Sequence, residues 1–477
     1  MIASNRSSLR VGSAKLVVDG TDEILVRKAE IALTPTRVQG RTLDSLLEWS
    51  RQIYNGALQH RRDAWRIAQV SLSRFDQFAE LSTLRENHPQ AVRFGIQPMR
   101  GALSLVDEAF AGFFRRVDEG GKAGYPRFRS RGRFRSVCYD EPKNWTLRGL
   151  NSGLKSHGAP ARVLYVQGVG EFTLSKRGAR QLSRFLARGG EPRTLTITRT
   201  RTGSWRATVG FRGVHAMPLP ENTQVGGVDR GVTITAALPD GTLLRCPEFL
   251  KGAREEIGAL QREREMHQPF SSEWKKANKA IAKTYARAHR RSENWARHTA
   301  REVVARYGVI SLEDLSLTNM TKSAKGTVER PGKGVAAKKG LNRSLQDAAL
   351  GRLAYWISVK AEEAGRRVWK VDPKNSSRQC AACGHTEAAN RHRAQFACRR
   401  CGHHEHADVN AAQVISARGE SADARWRDAG SPLLNRSVSK SQRRRPTMVV
   451  PIAIPNMNEP GTGQNHGAGS APDAAVA

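Results

Sequence analysis

The sequence predicts a multidomain chain in which a small N-terminal β-barrel, interrupted by a helical insertion, precedes an α/β domain. Three observations predict this fold class. Helical periodicity marks two segments between residues 42 and 117, and short alternating strands flank them at 10–38 and about 125–215. From Val225 onward, strands alternate with helices, which is typical of a sheet covered by helices. The length of 477 residues is enough for two or three domains with hydrophobic cores.

The helical insertion is predicted from two stripes of apolar residues at the spacing of one helix face. The first comprises Leu43, Leu46, Leu47, Ile53, Tyr54, Ala57 and Leu58, and the second comprises Met99, Leu103, Val106, Phe110, Phe113 and Val117. We interpret both stripes as core positions, because an amphipathic helix buries such a face against its neighbours.

A basic segment opens the second strand region, where YPRFRSRGRFRS begins at Tyr125. Its arginines alternate with aromatic residues that could stack on bases or ribose. The candidate nucleic-acid contacts are Arg127, Arg129, Arg131 and Arg133. A solvated basic loop is the alternative interpretation.

The C-terminal half is predicted to begin with a hairpin, in which the run VGGVDRGVTITAAL turns at Pro239 into a strand from Thr242. The elements expected after it are helices at about 250–266 and 273–307, a strand from Val309, a helix near 343–364, a strand from Arg367, a cysteine cluster and a last helix from about Asn410. The segment 321–341 is rich in glycine and lysine and is predicted to be a mobile basic loop, with Lys322 and Lys325 as candidate nucleic-acid contacts. A disordered tail is expected after about residue 420.

The charge of the chain indicates a polyanionic partner. Lysine and arginine number 79 against 44 aspartates and glutamates, a formal charge of +35. Nucleic acid is the first partner to consider, although charge alone fits a ribosome-associated protein equally well. No apolar run is long enough to span a membrane and the N-terminus lacks a secretory core, so a cytosolic protein is expected.

Three acidic residues stand where a carboxylate needs a partner. Asp229 lies in an otherwise apolar strand, Glu313 ends the next one, and Asp408 precedes the last helix. Converging carboxylates bind magnesium, which can activate water and stabilise the leaving oxygen of a phosphodiester. Taken singly, each acid also fits a salt bridge or a helix cap. The neighbouring acids Asp314, Asp372 and Glu405 are interpreted as structural or supporting groups.

Four of the six cysteines form two CxxC pairs, Cys380 with Cys383 and Cys398 with Cys401. Fourteen residues separate the pairs and glycine follows each second cysteine, which is typical of one structural zinc ion held by four thiolates. A filled tetrahedral site leaves no position for substrate, so the catalytic metal is sought at the carboxylates. The nearby histidines are not expected to be ligands: His385, His403, His404 and His406. Cys138 and Cys246 are predicted to be free, buried thiols.

These motifs together resemble a family, the TnpB-like nucleases of bacterial transposons and their relatives, the miniature type V CRISPR effectors. The resemblance spans about residues 25–418 and is strongest at GVDRG around Asp229, LEDL around Glu313, the paired CxxCG motifs and HADVNAA around Asp408. It implies an RNase H-like RuvC nuclease whose catalytic acids match Asp229, Glu313 and Asp408. Arg230, directly after the first acid, and the long tail depart from the family pattern.

The resemblance also implies a division of the chain. An OB-like wedge barrel would grip RNA and read a flanking DNA motif, and a helical recognition domain would contact the guide–target heteroduplex. The expected parts are 1–40 wedge barrel, 41–124 recognition domain, 125–220 wedge barrel, 221–375 RuvC nuclease, 376–405 zinc ribbon, 406–420 RuvC nuclease and 421–477 disordered tail.

The function implied is an RNA-guided DNA endonuclease, a hydrolase that uses two Mg²⁺ ions and carries one structural Zn²⁺. Its partners would be one guide RNA per protein, of transposon-end or CRISPR origin, and double-stranded target DNA, with no membrane partner. The resemblance also implies a bacterial, nucleoid-associated protein. Two alternatives stay open at this point. One is an RNA-guided DNA binder or repressor that does not cut, and the other is an RNase H-like transposase.

Overall fold

The computed structural model describes residues 10–429 except 12, 23, 122, 151–161, 325–329, 331 and 333. Lys325 and the chain beyond residue 429 therefore lie outside the described residues. Among the described helices, none is both long enough and apolar enough to cross a membrane.

The N-terminal half contains antiparallel strands and a block of helices. Its elements are β1 (Arg10–Val11), β2 (Ala14–Val18), β3 (Ile24–Leu33), α1 (Arg37–Ala68), α2 (Arg74–Ala79), α3 (Leu81–Asn87), α4 (Pro89–Phe94), α5 (Gln97–Asp118), β4 (Ser136–Tyr139), β5 (Trp145–Arg148), β6 (Val163–Val166), β7 (Gly170–Thr173), α6 (Lys176–Leu186), β8 (Glu191–Arg199) and β9 (Trp205–His215).

The C-terminal half alternates strands with helices, as predicted. Its elements are β10 (Val225–Val228), β11 (Ala236–Ala237), β12 (Leu243–Leu244), α7 (Phe249–Glu265), α8 (Ser272–Arg306), β13 (Val309–Glu313), α9 (Leu317–Met320), α10 (Val335–Asp347), α11 (Leu350–Ala364), β14 (Arg367–Val371), β15 (Arg391–His392), β16 (Gln395–Ala397), β17 (His404–His406) and α12 (Ala407–Asp428).

The N-terminal strands pair into two antiparallel sheets that share one hydrophobic core with α1 and α5. The orders are β3-β9-β8-β4 and β5-β6-β7, and the closed barrel stays a prediction. The apolar stripe of α1 is buried as expected, and in α5 the buried stripe runs from Met99 to Val106 before Val117 becomes 49% exposed. The basic segment after Tyr125 is not a strand, because the described chain turns there before β4 begins. Helix α6 was not predicted.

A five-stranded mixed sheet forms the centre of the C-terminal half, in the order β1-β2-β14-β13-β10. Strands β10, β13 and β14 are parallel, and β2 is antiparallel to β14. The expectation that strands near the N-terminus belong to the barrel is therefore wrong for β1 and β2, which extend this sheet instead. The pairing joins residues that are 350 positions apart in sequence, for example Val18 with Val368. No local pattern reports such a pairing.

Both faces of the parallel strands are covered by helices, which explains why β13 is buried along its whole length. Ile310 and Leu312 pack against α8 and α11, whereas Val309 on the other face packs against Ile415 of α12. Successive side chains of a strand alternate between faces. Glu313 therefore shares the α12 face with Val309.

Helix α12 lies in direct contact with two strands because glycines face it. A Cβ added to Gly227 of β10 would lie 2.1 Å from the carbonyl oxygen of Ala412. A Cβ added to Gly419 of α12 would lie 1.5 Å from the hydroxyl oxygen of Ser311 in β13. Such close approach of two backbones needs glycine. Ser416 strengthens the contact, since its hydroxyl accepts a hydrogen bond from the amide of Gly227 at 2.5 Å.

Several predicted boundaries differ from the structure. The helix expected near 343–364 is two helices, α10 and α11, separated at Ala349, whose φ of 55° ends a right-handed helix. Helix α10 begins at Val335, so the last part of the predicted loop 321–341 is helical. Helix α12 begins at Ala407 and continues to Asp428, past the position where the tail was predicted to start. The long helices α7 and α8 are confirmed.

Candidate metal centres

Asp229 and Glu313 lie side by side at the carboxyl ends of two neighbouring parallel strands. Val228 pairs with Leu312, and each acid is the next residue along its strand direction. Adjacent strands are about 4.8 Å apart. Asp229 follows β10 directly rather than lying in mid-strand, and its backbone exchanges two hydrogen bonds with Ala237, at 3.1 and 2.9 Å. The predicted single strand is therefore interrupted by a turn, in which the amide of Gly231 bonds the carbonyl of Ile234, and this turn brings Ala237 back against the first acid.

Asp408 is the second residue of α12, the helix that covers the same face of the sheet. The positive end of the helix dipole stabilises a carboxylate there. Oδ1 of Asp408 accepts a hydrogen bond from Nη2 of Arg391 at 2.6 Å, and the Asp408 side chain is 18% exposed. Arg391 belongs to β15 in the cysteine-rich region, so this region contacts the third acid. Nothing in the local sequence indicated that contact.

The three carboxylates interact electrostatically. Burial and the negative charges of Glu313 and Asp408 together raise the pKa of the Asp229 carboxyl from 3.8 to about 8, while Arg391 and Arg230 oppose the shift. Burial also raises the pKa of Glu313. Within the described residues, only the four cysteines bring three or more His, Cys, Asp or Glu ligand atoms all within 4.8 Å of one another.

Arg230 is a buried cation beside the acids. Its side chain is 7% exposed, and Nη2 donates a hydrogen bond to the backbone carbonyl of Glu313. Nη1 lies 3.5 Å from the carbonyl oxygen of Leu350 at the start of α11. The residue that departs from the family pattern therefore connects the strand ends of the first two acids.

Ser376 is a further contact that the sequence did not reveal. It is 4% exposed, and its hydroxyl oxygen lies 3.1 Å from Oε1 of Glu313 and 3.0 Å from the carbonyl oxygen of Pro373.

The three neighbouring acids have other partners. Asp314 faces Lys370 at 3.4 Å, and Asp372 accepts a hydrogen bond from the amide of Lys374. Glu405 faces His403 at 3.6 Å.

The two CxxC pairs fold into equivalent turns that bring all four thiols together. The Sγ atoms of Cys380 and Cys401 are 3.7 Å apart, and those of Cys383 and Cys398 are 3.6 Å apart. Gly384 and Gly402 both have a φ of 75°, as the tight turn after each pair requires. The cluster therefore fits a zinc ion held by four thiolates.

The histidines near this cluster have other partners. Nε2 of His385 lies 3.1 Å from Glu387, and Nε2 of His403 lies 3.6 Å from Glu405. Their exclusion from the predicted ligand set agrees with the four-cysteine group. Cys246 is buried as predicted, whereas Cys138 is only half-buried.

The arginines of the basic segment differ in their contacts and exposure. The guanidinium of Arg129 lies 4.5 Å from the centroid of the Tyr54 ring, and its backbone pairs with Asn55 on α1. Arg131 contacts Glu48 at 2.9 Å yet is 81% exposed, and Arg127 and Arg133 are exposed. Lys322 is also exposed.

A cleft of about 670 Å³ lies beside this segment, between α1, the turn at 131–135 and the β8–β9 connection. Five arginines line it, with two acids, Asp44 and Glu48. The arginines are Arg51, Arg131, Arg135, Arg199 and Arg201.

Two protein-family models match parts of the C-terminal half. A model described as "Cas12f1-like, TNB domain" matches residues 351–415, the part that contains the four cysteines and Asp408. The OrfB model of IS605, described as "Probable transposase", matches residues 211–324, which contain Asp229 and Glu313. Together the two models include all three acids and all four cysteines.

Two named relatives and one solved structure are similar to this chain. The chain is 28% identical over 326 residues to the "Putative RNA-guided DNA endonuclease InsQ" of Escherichia coli (strain K12), covering 68% of this chain and 75% of that protein. It is 26% identical over 393 residues to a "Putative RNA-guided DNA endonuclease" of Streptomyces pristinaespiralis, covering 82% and 88%. A cryo-EM structure of a Cas12f1–sgRNA–target DNA complex has a TM-score of 0.49 at 15% identity, covering 78% and 82%. These similarities support a TnpB-like family.

Proposed function

We propose that this protein is an RNA-guided DNA endonuclease in which Asp229, Glu313 and Asp408 hold catalytic magnesium. The observation that carries the proposal is the position of Asp229 and Glu313 at neighbouring strand ends, with Asp408 in the first turn of the helix that covers this face of the sheet. Two relatives that cover 68% and 82% of the chain bear names of that activity.

The chemistry of the donor set supports magnesium. Carboxylate oxygens are the ligands that this hard cation prefers. Without a cation, mutual repulsion and burial raise the pKa of Asp229 to about 8, so a divalent ion would relieve a cost that the fold imposes. Two bound Mg²⁺ ions supply an activated water and stabilise the leaving oxygen of the phosphodiester.

The protein's own residues prepare this site in three ways. Asp229 and Glu313 present carboxylates from neighbouring strand ends, and Asp408 presents one from the positively polarised end of a helix. Arg230 holds the backbone of Glu313 from inside the protein. The four-cysteine zinc site is structural, since four thiolates fill its coordination sphere.

Target choice would come from base pairing with one bound guide RNA, and the protein would recognise the heteroduplex through backbone and shape. The formal charge of +35 suits this task. The arginine-lined cleft and the exposed Arg127 and Arg133 are the nucleic-acid contacts that we propose for the N-terminal half. We propose the same role for Arg131 and, in the C-terminal half, for Lys322 and Lys325. The side chain of Arg129 packs on the Tyr54 ring instead. We further propose that the N-terminal half reads the flanking DNA motif.

The experiment that tests the proposal is cleavage of a plasmid library with randomised flanks, using protein copurified with its RNA in the presence of Mg²⁺. Asp229→Ala should abolish guide-dependent cuts. Asp428→Ala, a matched change at the exposed end of the same α12 that carries Asp408, should leave them intact.

Two other outcomes would replace the proposal. Tight binding of RNA and target without strand cleavage in Mg²⁺ or Mn²⁺ would make the protein an RNA-guided binder. RNA-independent joining of transposon ends to a target would make it a transposase.

A further inference from the structure

We propose that Ser376 is a positioning residue for Glu313, and that through Ser376 the zinc ribbon sets the affinity of the carboxylate site for its divalent cation. The inference rests on the proposed function and adds a residue that neither the motifs nor the comparisons assign. Ser376 lies outside both the three acids and the four cysteines, yet it is connected to both sites.

The contact with Glu313 is direct and buried. The Ser376 hydroxyl lies 3.1 Å from Oε1 of Glu313, and both residues are at most 6% exposed. The hydroxyl has one proton and a second acceptor, the carbonyl oxygen of Pro373 at 3.0 Å. Because an ionised carboxylate is the stronger acceptor, the proton goes to Glu313 when that residue is charged. The hydroxyl thus selects one orientation of the carboxylate.

The segment that carries Ser376 is held by α12 at both ends. Arg418 donates hydrogen bonds to the carbonyl oxygen of Asp372 at 2.5 Å and to Oε1 of Gln379 at 2.6 Å. Asn410, which is fully buried, donates to the carbonyl oxygen of Gln379 at 2.8 Å and accepts from the amide of Ala381 at 2.9 Å. The helix that bears Asp408 therefore also fixes the residues around Ser376.

The same segment runs into the first cysteine turn. Cys380 follows Ser376 by four positions, and its amide donates to the carbonyl oxygen of His385 at 2.9 Å. Gln379 and Thr386 form a β-bridge across that turn. Since a structural zinc ion supplies the folding free energy of such a turn, zinc would fix Gln379 and with it the path of the chain through Ser376.

The consequence is a connection between two metal sites that share no ligand. Residues that support metal ligands typically change metal affinity 10- to 100-fold when they are lost. Here the supporting hydroxyl comes from the zinc-ribbon side of the chain, whereas the supported carboxylate comes from the central sheet. Zinc would then affect the orientation of Glu313 without being coordinated by it.

The test is Mn²⁺ binding to the full-length, zinc-loaded protein without RNA, followed by the EPR signal of free Mn²⁺. Ser376→Ala should weaken binding about 10-fold. The matched control is Ser377→Ala, which removes the same hydroxyl one position later, and it should bind as the wild type does. Asp229→Ala identifies the site, because its loss should remove the measured binding.

A second experiment tests whether the zinc site affects Mn²⁺ affinity through Ser376. Cys383→Ser should weaken Mn²⁺ binding in the wild-type background but have little further effect when combined with Ser376→Ala, because coupled residues are not additive. Additive losses would overturn the zinc route. Wild-type Mn²⁺ affinity in Ser376→Ala would overturn the positioning role itself.

Cleavage separates this inference from the proposed function. In Ser376→Ala, the Mg²⁺ concentration for half-maximal cleavage should rise and excess Mg²⁺ should restore the rate, whereas a merely structural role would lower the rate at every concentration. If the wild type binds Mn²⁺ through Asp229 but cuts no DNA, the proposed function fails while the affinity comparison still decides the role of Ser376.

Discussion

Gly419 of α12 lies so close to Ser311 of β13 that the helix and the strand leave no room for a side chain between them. The contact places the helix that carries Asp408 directly on the strand that carries Glu313. The relative positions of Glu313 and Asp408 thus depend on glycine at position 419, where a Cβ would collide with Ser311.

The first prediction concerns this contact. Gly419→Ala should destabilise the protein by about 1 to 3 kcal/mol, because the added methyl group overpacks a close interface. It should also reduce cleavage by displacing Asp408. Thermal unfolding and cleavage assays measure the two effects. Gly252→Ala in α7, where an added Cβ meets nothing within 4 Å, should be neutral or stabilising. Equal stabilities of the two variants would contradict the packing argument.

The second prediction concerns pH. The pKa of Asp229 is raised from 3.8 to about 8 by burial and by the neighbouring acids. A raised pKa stabilises the fold below the unfolded value, and this contribution is lost as pH rises through the folded value. Zinc-loaded protein without Mg²⁺ should therefore lose stability between about pH 4 and pH 8, and Asp229→Asn should lose less. Thermal unfolding across this range tests it, and parallel curves for both proteins would be the contrary result.

The third prediction concerns the zinc ligands. Elemental analysis should find one zinc per chain, and Cys401→Ser should lower that content and expose the ribbon to proteolysis. His403→Ala should retain zinc, because His403 faces Glu405 and stands outside the four-cysteine cluster. Loss of zinc in the histidine variant would show that the ligand set is wrong.

The fourth prediction concerns Arg230. Its replacement by alanine leaves the carbonyl of Glu313 without its buried donor and removes a cation beside two acids. Loss of one partner from such a buried set costs about 3 kcal/mol or more. Chemical denaturation should show this loss, whereas Arg245→Ala, at an exposed arginine, should change stability by no more than about 0.5 kcal/mol.

The fifth prediction concerns the basic segment. Arg133→Ala should weaken RNA binding with unchanged stability and reduce the slope of log affinity against log salt concentration by about 1, because an exposed arginine neutralises phosphate. Arg129→Ala should instead lower stability, since this side chain packs on the Tyr54 ring. Filter binding at several salt concentrations and thermal unfolding separate the two roles. The same result for both variants would contradict the assignment.

The sequence by itself determined the local features of this protein. Both CxxC turns were predicted because their spacing and glycines act within a few residues. The helices α1, α7 and α8 were predicted from apolar periodicity, which is visible within the sequence of each segment. The acids were selected because each interrupts or ends an apolar strand or begins a helix, and such cues are also local.

Only the tertiary structure determined which distant residues contact one another. Strands β1 and β2 pair with β14, and Arg391, Ser376 and Arg230 reach the acids across gaps in sequence that no periodicity spans. Basic and hydroxyl side chains are common on any surface, so their sequence positions do not mark those that fold inward. Because burial and charge act through space, the raised pKa of Asp229 depends on the sheet register and on the contact of α12 with the strands.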